Sequence, residues 1–108
     1  MGSLNGKTAW ITGGGGGIGE AAAKALAISG AHVVVSGRRK AELDRVVGDI
    51  IGAGGSVEAA QLDVVDAEAA QAIADDLAAR RGGVDIHFAN AGINVPNRFT
   101  DKLSLIHI

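Results

Sequence analysis

Short apolar runs alternate with longer amphipathic stretches along the chain. The runs are rich in Val, Ile and Ala, as expected for strands that are buried on both faces of a parallel sheet. Between them, apolar residues recur at helical spacing, most clearly at Leu43, Val46, Val47, Ile50 and Ile51. The pattern predicts four strands over residues 8–12, 32–37, 56–62 and 84–90, and three helices over residues 17–29, 40–52 and 67–81.

Glycine and aspartate mark the ends of the predicted helices. Glycine adopts the left-handed cap conformation most easily, and it follows or closes each helix at Gly30, Gly52, Gly54, Gly55, Gly82 and Gly83. Asp66 stands just before the third helix, where it can act as an N-cap. Strand–helix–strand units of this kind build a parallel, doubly wound α/β sheet.

Composition narrows the class of protein further. The 108 residues suffice for one domain or part of one, and neither a long apolar span nor the apolar core of a signal peptide is present. The lack of cysteine favours a cytoplasmic protein, and a net charge of −2 gives no basic surface for nucleic acid. The three histidines lack the spacing of metal ligands, so we expect neither a metal site nor a membrane or nucleic-acid partner.

A glycine-rich turn between the first strand and the first helix carries the main functional signal. It reads Thr12-Gly13-Gly14-Gly15-Gly16-Gly17-Ile18-Gly19. Such a turn lets a ligand approach the main chain, and the helix that follows presents free N–H groups and its positive dipole end. A dinucleotide pyrophosphate is the expected ligand, and a flexible connector is the alternative. Gly6-Lys7-Thr8 is not a P-loop, because it precedes the strand.

Two further motifs follow the third and fourth predicted strands, namely Asp63-Val64 and Asn90-Ala91-Gly92. Together with the glycine-rich turn, in this order, they resemble the short-chain dehydrogenase/reductase family over about residues 4–102. Ala89 departs from the family, which usually has asparagine there. The resemblance implies a Rossmann-like fold with strand order 3-2-1-4, truncated after the fourth strand. It also implies an NAD(P)-dependent oxidoreductase that is a homo-oligomer when complete.

The resemblance implies specific roles for these residues. Thr12, Gly13, Gly15, Gly16, Gly17, Ile18 and Gly19 would surround the pyrophosphate. Asp63 would accept a hydrogen bond from the adenine amino group, and Val64 would offer its main-chain N–H. The segment Asn90, Ala91 and Gly92 would lie beside the nicotinamide ribose. Asp63 as an ordinary turn residue and Asn90 as a loop amide are the alternatives.

The end of the second predicted strand bears on the choice of coenzyme. NAD-binding sites usually carry Asp or Glu there for the ribose 2′-hydroxyl. This chain instead has Gly37, followed by Arg38, Arg39 and Lys40, and cations at a helix start oppose the helix dipole. A bound 2′-phosphate would offset that cost, so we expect NADP, with NAD as the alternative. A solvated basic helix start would explain the cluster without any ligand.

The catalytic residues of the family are not expected within these 108 residues. The chain contains no tyrosine, so it cannot hold the Tyr-x-x-x-Lys motif of the family, and we assign no catalytic residue. Residues 103–108 resemble a translated transposase mosaic end, so we expect a non-native tail derived from an adaptor, after an amino-terminal domain part at 1–102. A genuine β-rich tail is the alternative. The fragment itself is expected to be inactive. The intact protein would act on a carbonyl or alcohol substrate, and a non-catalytic dinucleotide-binding module is the alternative.

Overall fold

A computed structural model describes residues 3–13, 17–63, 66–89 and 104–107, with only the backbone described for the last segment. Strands and helices alternate as far as the fourth strand. The elements are β1 (Thr8–Thr12), α1 (Gly17–Ile28), β2 (His32–Ser36), α2 (Lys40–Gly52), β3 (Ser56–Ala59), α3 (Ala67–Arg81), β4 (Ile86–Ala89) and β5 (Ser104–His107).

The strands form one parallel sheet in the order β3-β2-β1-β4-β5. The predicted order 3-2-1-4 is therefore confirmed. The sheet extends one strand further than predicted, because Ser104–His107 pairs with β4, with Ser104 opposite Ile86. This fifth strand lies in the predicted tail, outside the domain part at 1–102: Leu and Ile suit a strand, and β4 would otherwise present an unpaired edge. The non-native origin of residues 103–108 stays a prediction.

Each face of the sheet packs against its own helices. Alternate residues of the central strands point to opposite faces, so Ala9 and Ile11 lie in a core with α1 and α2. Trp10 and Val34 lie in a second core with α3. All four of these side chains are fully buried. The sheet is thus covered on both sides, as its continuous apolar strands predict.

The ends of the elements follow local hydrogen bonds. The side chain of Asp66 accepts a bond from the N–H of Ala69 at 2.9 Å, which confirms the predicted N-cap. Gly82 ends α3 in the left-handed conformation, with φ of 77°. Gly52, in contrast, is the last residue of α2, and Gly54 carries the positive φ of 87°.

Four boundaries among the described residues differ from the predictions by one residue or more, and the fourth of them is the start of β4. The first helix ends at Ile28 instead of residue 29, and the second strand ends at Ser36. The third strand was predicted to reach Leu62, but β3 ends at Ala59, although the N–H of Leu62 still donates to the carbonyl of Gly37 at 2.9 Å.

Asp85 explains why β4 starts later than predicted. Its backbone N–H donates to the carbonyl of Thr8 at 2.9 Å, and its carboxylate accepts from the N–H of Thr8 at 2.9 Å. The carboxylate thus accepts the hydrogen bond that a backbone carbonyl of the neighbouring strand would otherwise accept. Regular pairing between β1 and β4 therefore begins only at Ile86. In the part of the chain that the structure describes, no helix is long and apolar enough to cross a membrane.

Candidate coenzyme-binding site

The candidate site lies where the carboxyl ends of three neighbouring strands meet. Thr12 at the end of β1 is paired with Ser36 of β2 on one side and with Ala89 of β4 on the other. Helices leave the sheet in opposite directions at this point, because α1 and α2 cover one face and α3 covers the other. A crevice at such a point is where open α/β sheets bind their ligands.

Gly13 makes the sharp turn after β1. Its φ is 76°, a left-handed conformation that residues with a side chain rarely adopt, and its N–H donates to the carbonyl of Ser36 at 2.7 Å. The glycine therefore joins the ends of β1 and β2 while it redirects the chain. Gly15 and Gly16, which were predicted to bind the coenzyme, lie outside the described residues, as does Gly14.

The start of α1 faces this turn. A Cβ atom built on Gly17 would meet nothing within 4 Å, so open space adjoins this position. The side chain of Ile18 is 55% exposed, and Gly19 is buried, as close packing of the helix on the sheet requires. The helix start thus combines the positive end of the helix dipole with room for a ligand.

The basic residues after β2 lie on the surface at the same edge of the sheet. Arg38 and Arg39 are both exposed, and Arg39 precedes α2 in an extended conformation without a side-chain cap. Lys40 differs, because its ammonium group pairs with Asp44 at 2.8 Å. Within the described ranges, neither arginine forms an ion pair with a carboxylate. Both charges are thus available to an anionic ligand.

Gly37 and Asp63 complete the described part of this edge. The carbonyl of Gly37 accepts from the N–H of Leu62, which brings the following residue, the exposed Asp63, beside the end of β2. The carbonyl of Asp63 accepts a bond from the N–H of Asp66 at 2.9 Å, as in a turn before α3. Val64, and the three residues Asn90, Ala91 and Gly92 that follow β4, lie outside the described residues.

A buried polar cluster lies under this edge, and sequence analysis did not find it. The indole N–H of Trp10 donates to Ser36 Oγ at 2.8 Å, and the indole stacks on His87 with ring centroids 5.1 Å apart. His87 Nε2 lies 3.5 Å from Thr12 Oγ1. Thr12, which is predicted to lie at the pyrophosphate, is fully buried.

Ion pairs join the first turn of α1 to the second turn of α2. Glu20 accepts two hydrogen bonds from Arg45, at 2.8 and 3.0 Å, and a third from Lys24 at 2.7 Å. The hydrogen bonds from Arg45, and to a smaller extent the bond from Lys24, lower the pKa of the Glu20 carboxyl to about 2. The hydrogen bonds that Arg45 donates to Glu20 and then to Glu42 raise the pKa of Arg45. Glu20 and Arg45 therefore stay charged at neutral pH.

Comparison with known sequences gives one family. Residues 7–105 match the family described as short chain dehydrogenase. The chain is 40% identical over 94 residues to the uncharacterized oxidoreductase YxbG of Bacillus subtilis, covering 87% of this chain and 34% of that protein. It is 38% identical over 104 residues to the fatty acyl-CoA reductase Rv0547c of Mycobacterium tuberculosis, covering 96% and 35% respectively. The chain thus spans about a third of the length of these relatives.

Solved structures give the same family. The citronellol catabolism dehydrogenase AtuB of Pseudomonas aeruginosa superposes with a TM-score of 0.79 at 37% identity, covering 94% of this chain and 42% of that one. A metagenomic short-chain oxidoreductase in complex with NADP superposes with a TM-score of 0.80 at 37% identity, covering 84% and 41%. The glycine-rich turn, the strand order and these matches agree: the chain belongs to the short chain dehydrogenase family.

Proposed function

We propose that the intact protein is an NADP-dependent oxidoreductase that transfers a hydride between NADP(H) and a carbonyl or alcohol substrate. The residues described above would form the coenzyme-binding part of this enzyme. The observation that carries the NADP assignment is the pair of arginines after Gly37, which are exposed and have no ion-pair partner among the described residues.

The glycine-rich turn fits the pyrophosphate of a dinucleotide. Gly13 turns the chain with a conformation that favours glycine, and the space beside Gly17 is open. A phosphate at the start of α1 would meet free N–H groups and the positive end of the helix dipole. In this proposal Gly15 and Gly16 belong to the same cradle.

The adenosine end of the coenzyme would lie beside the ends of β2 and β3. Gly37 offers no carboxylate to a ribose 2′-hydroxyl, whereas Arg38 and Arg39 offer two guanidinium groups to a 2′-phosphate. Asp63 is exposed at the adjoining strand end, where its carboxylate would accept a bond from the adenine amino group. Val64 would add its main-chain N–H.

The nicotinamide end would lie beside the end of β4. The coenzyme, when bound, supplies or accepts the hydride. Asn90, Ala91 and Gly92 follow β4 directly and would line the nicotinamide ribose. The proton donor must come from elsewhere in the intact protein, because the 108 residues contain no tyrosine.

The comparisons support the reaction type more than the substrate. Relatives are named as oxidoreductases, and a structural neighbour is a complex with NADP. The named reactions include a fatty acyl-CoA reductase and a citronellol catabolism dehydrogenase, so we propose a carbonyl or alcohol substrate without further detail. A cytoplasmic, homo-oligomeric enzyme without a nucleic-acid or membrane partner is part of the same proposal.

Direct titration of the intact protein with NADPH and with NADH tests the proposal. Hydrogen bonds to a charged group contribute about 1.5–3 kcal/mol, so NADPH should bind on the order of tenfold to a hundredfold more tightly. The difference should shrink as the salt concentration rises, because these contacts are exposed. Equal or tighter binding of NADH would overturn the NADP assignment, and absence of binding by either would overturn the proposal.

A further inference from the structure

Arg45 pairs with three carboxylates, those of Glu20, Glu42 and Asp49, and it is the one cation paired with Glu42 among the described residues. Its Nη2 atom lies 2.8 Å from Glu20 Oε1 and 3.1 Å from Glu42 Oε2, while its Nη1 atom lies 3.0 Å from Glu20 Oε2. Glu20 belongs to the first turn of α1 and Glu42 to the first turn of α2. One guanidinium therefore bridges the starts of both helices.

These two helix starts flank the proposed dinucleotide site. Helix α1 follows the glycine-rich turn, and α2 follows Arg38 and Arg39 directly. Arg45 stands in the second turn of α2, but helical side chains lean toward the amino terminus, so its guanidinium reaches back to the first turn. The charge of Arg45 is thus placed at the same end of α2 as the proposed 2′-phosphate site.

We infer that Arg45 determines coenzyme specificity by compensating Glu20 and Glu42, so that a 2′-phosphate can be held by Arg38 and Arg39. This inference rests on the proposed function. Arg45 would touch neither the coenzyme nor the substrate and would act as a positioning residue. Without it, Glu42 would lose its ion pair and Glu20 would keep only Lys24, so both carboxylates would repel the phosphate more strongly.

Lys24 does not replace Arg45 in this role. Its ammonium group pairs with Glu20 at 2.7 Å and with Asp49 at 3.3 Å, and no bond to Glu42 is found among the described residues. Removal of the Arg45 charge would therefore leave Glu42 without a cation and Glu20 with one instead of two. Both coenzymes carry the charge of the pyrophosphate, but only NADPH adds a 2′-phosphate with close to two negative charges, so the resulting repulsion should weaken NADPH binding more than NADH binding.

The test compares the dissociation constants of both coenzymes in the intact protein and in its Arg45→Met variant. Even with the strong screening by water at an exposed site, loss of one compensating charge should weaken NADPH binding roughly threefold to tenfold. NADH binding should change by less than about twofold. An equal loss for both coenzymes would overturn the inference, because it would show a structural role, and so would no change in either.

Arg80→Met is the matched control. Arg80 also makes a two-pronged contact, with Glu58 at 2.7 and 3.4 Å, and pairs with Asp76 at 2.8 Å. It stands in the last turn of α3, at the opposite edge of the sheet. The same loss of charge there should leave the ratio of the two affinities unchanged. A change equal to that of Arg45→Met would overturn the inference by showing a general charge effect.

A second substitution separates charge from contact. Arg45→Met combined with Glu20→Gln restores the net charge of the unmodified protein without restoring the bridge between the helices. Recovery of NADPH binding to within about twofold would support compensation of charge, and a persistent defect would overturn it. If the unmodified protein does not prefer NADPH, the proposed coenzyme is wrong; if it does and Arg45→Met does not alter this preference, the inference alone fails.

Discussion

Two substitutions just after β2 test whether Arg38 and Arg39 select NADP. Together they should reverse the coenzyme preference. Gly37→Asp introduces the carboxylate that NAD-binding sites carry, and Arg38→Leu removes one guanidinium from the proposed phosphate site. The fold should tolerate both changes. The backbone of Gly37 is not in the left-handed region, a new Cβ would lie 3.4 Å from Leu43 Cδ2, and Arg38 is exposed.

The magnitude follows from two contributions. Loss of a charge-assisted hydrogen bond from Arg38 costs about 1.5–3 kcal/mol of NADPH binding. A carboxylate about 5 Å from a phosphate adds roughly 1–2 kcal/mol of repulsion even at the dielectric constant of water. NADPH should therefore bind on the order of a hundredfold to a thousandfold more weakly. NADH should gain about fivefold, because a new hydrogen bond to the ribose contributes about 1 kcal/mol.

Steady-state kinetics and equilibrium titration of the intact enzyme with both coenzymes measure this reversal. Lys40→Met is the matched control: it removes an adjacent charge that already pairs with Asp44, so the preference should stay within about threefold of the original. If the double variant keeps the original preference, Gly37 and Arg38 do not contact the adenosine ribose and its phosphate. If Lys40→Met reverses the preference as well, the preference depends on the summed positive charge of these residues and not on specific contacts of Gly37 and Arg38.

The remaining predictions concern stability and turnover. Gly55→Ala should lower the free energy of unfolding by about 1–3 kcal/mol, because the new Cβ would lie 2.6 Å from Cγ2 of the buried Ile50. Gly48→Ala should raise the free energy of unfolding by about 0.5–1 kcal/mol, because Gly48 lies on an exposed helix surface and its new Cβ would meet nothing within 4 Å. Equal effects in chemical denaturation would contradict this packing. Burial lowers the pKa of His32, so the unfolded state binds its proton more readily and stability should fall as the pH drops below about 6.5. His32→Gln should reduce that loss between pH 7.5 and pH 5.5, and an unchanged profile would show that other groups cause it. The 108-residue chain by itself should not turn over an alcohol or ketone, since it lacks the tyrosine of the family, and coenzyme oxidation by a pure sample would refute this.

Elements with strong local signals could be predicted from the sequence. The bounds of β1, α2 and α3 match the predictions to the residue. In α3 the reason is local, because Asp66 caps the start and Gly82 adopts the left-handed conformation at the end. The order of the first four strands also follows, since it depends on the succession of strands and helices.

Features that depend on tertiary contacts could not be predicted in the same way. The histidine at position 87 has no informative neighbour in the sequence, and its contact with Trp10 appears only when β1 and β4 are placed in register. Glu20 and Arg45 are 25 residues apart, so their bridge requires the packing of α1 on α2. The fifth strand was only an alternative in the sequence analysis, because such a short segment carries too weak a pattern.

A crystal structure of the intact protein with NADP(H) is the most direct test of the proposed coenzyme site. We expect the pyrophosphate at the turn from Gly13 to Gly19, the adenine beside Asp63, and the 2′-phosphate within hydrogen-bond distance of the guanidinium groups of Arg38 and Arg39. A pyrophosphate bound away from this turn would contradict the site. A 2′-phosphate in solvent, with both arginines directed elsewhere, would contradict the coenzyme assignment.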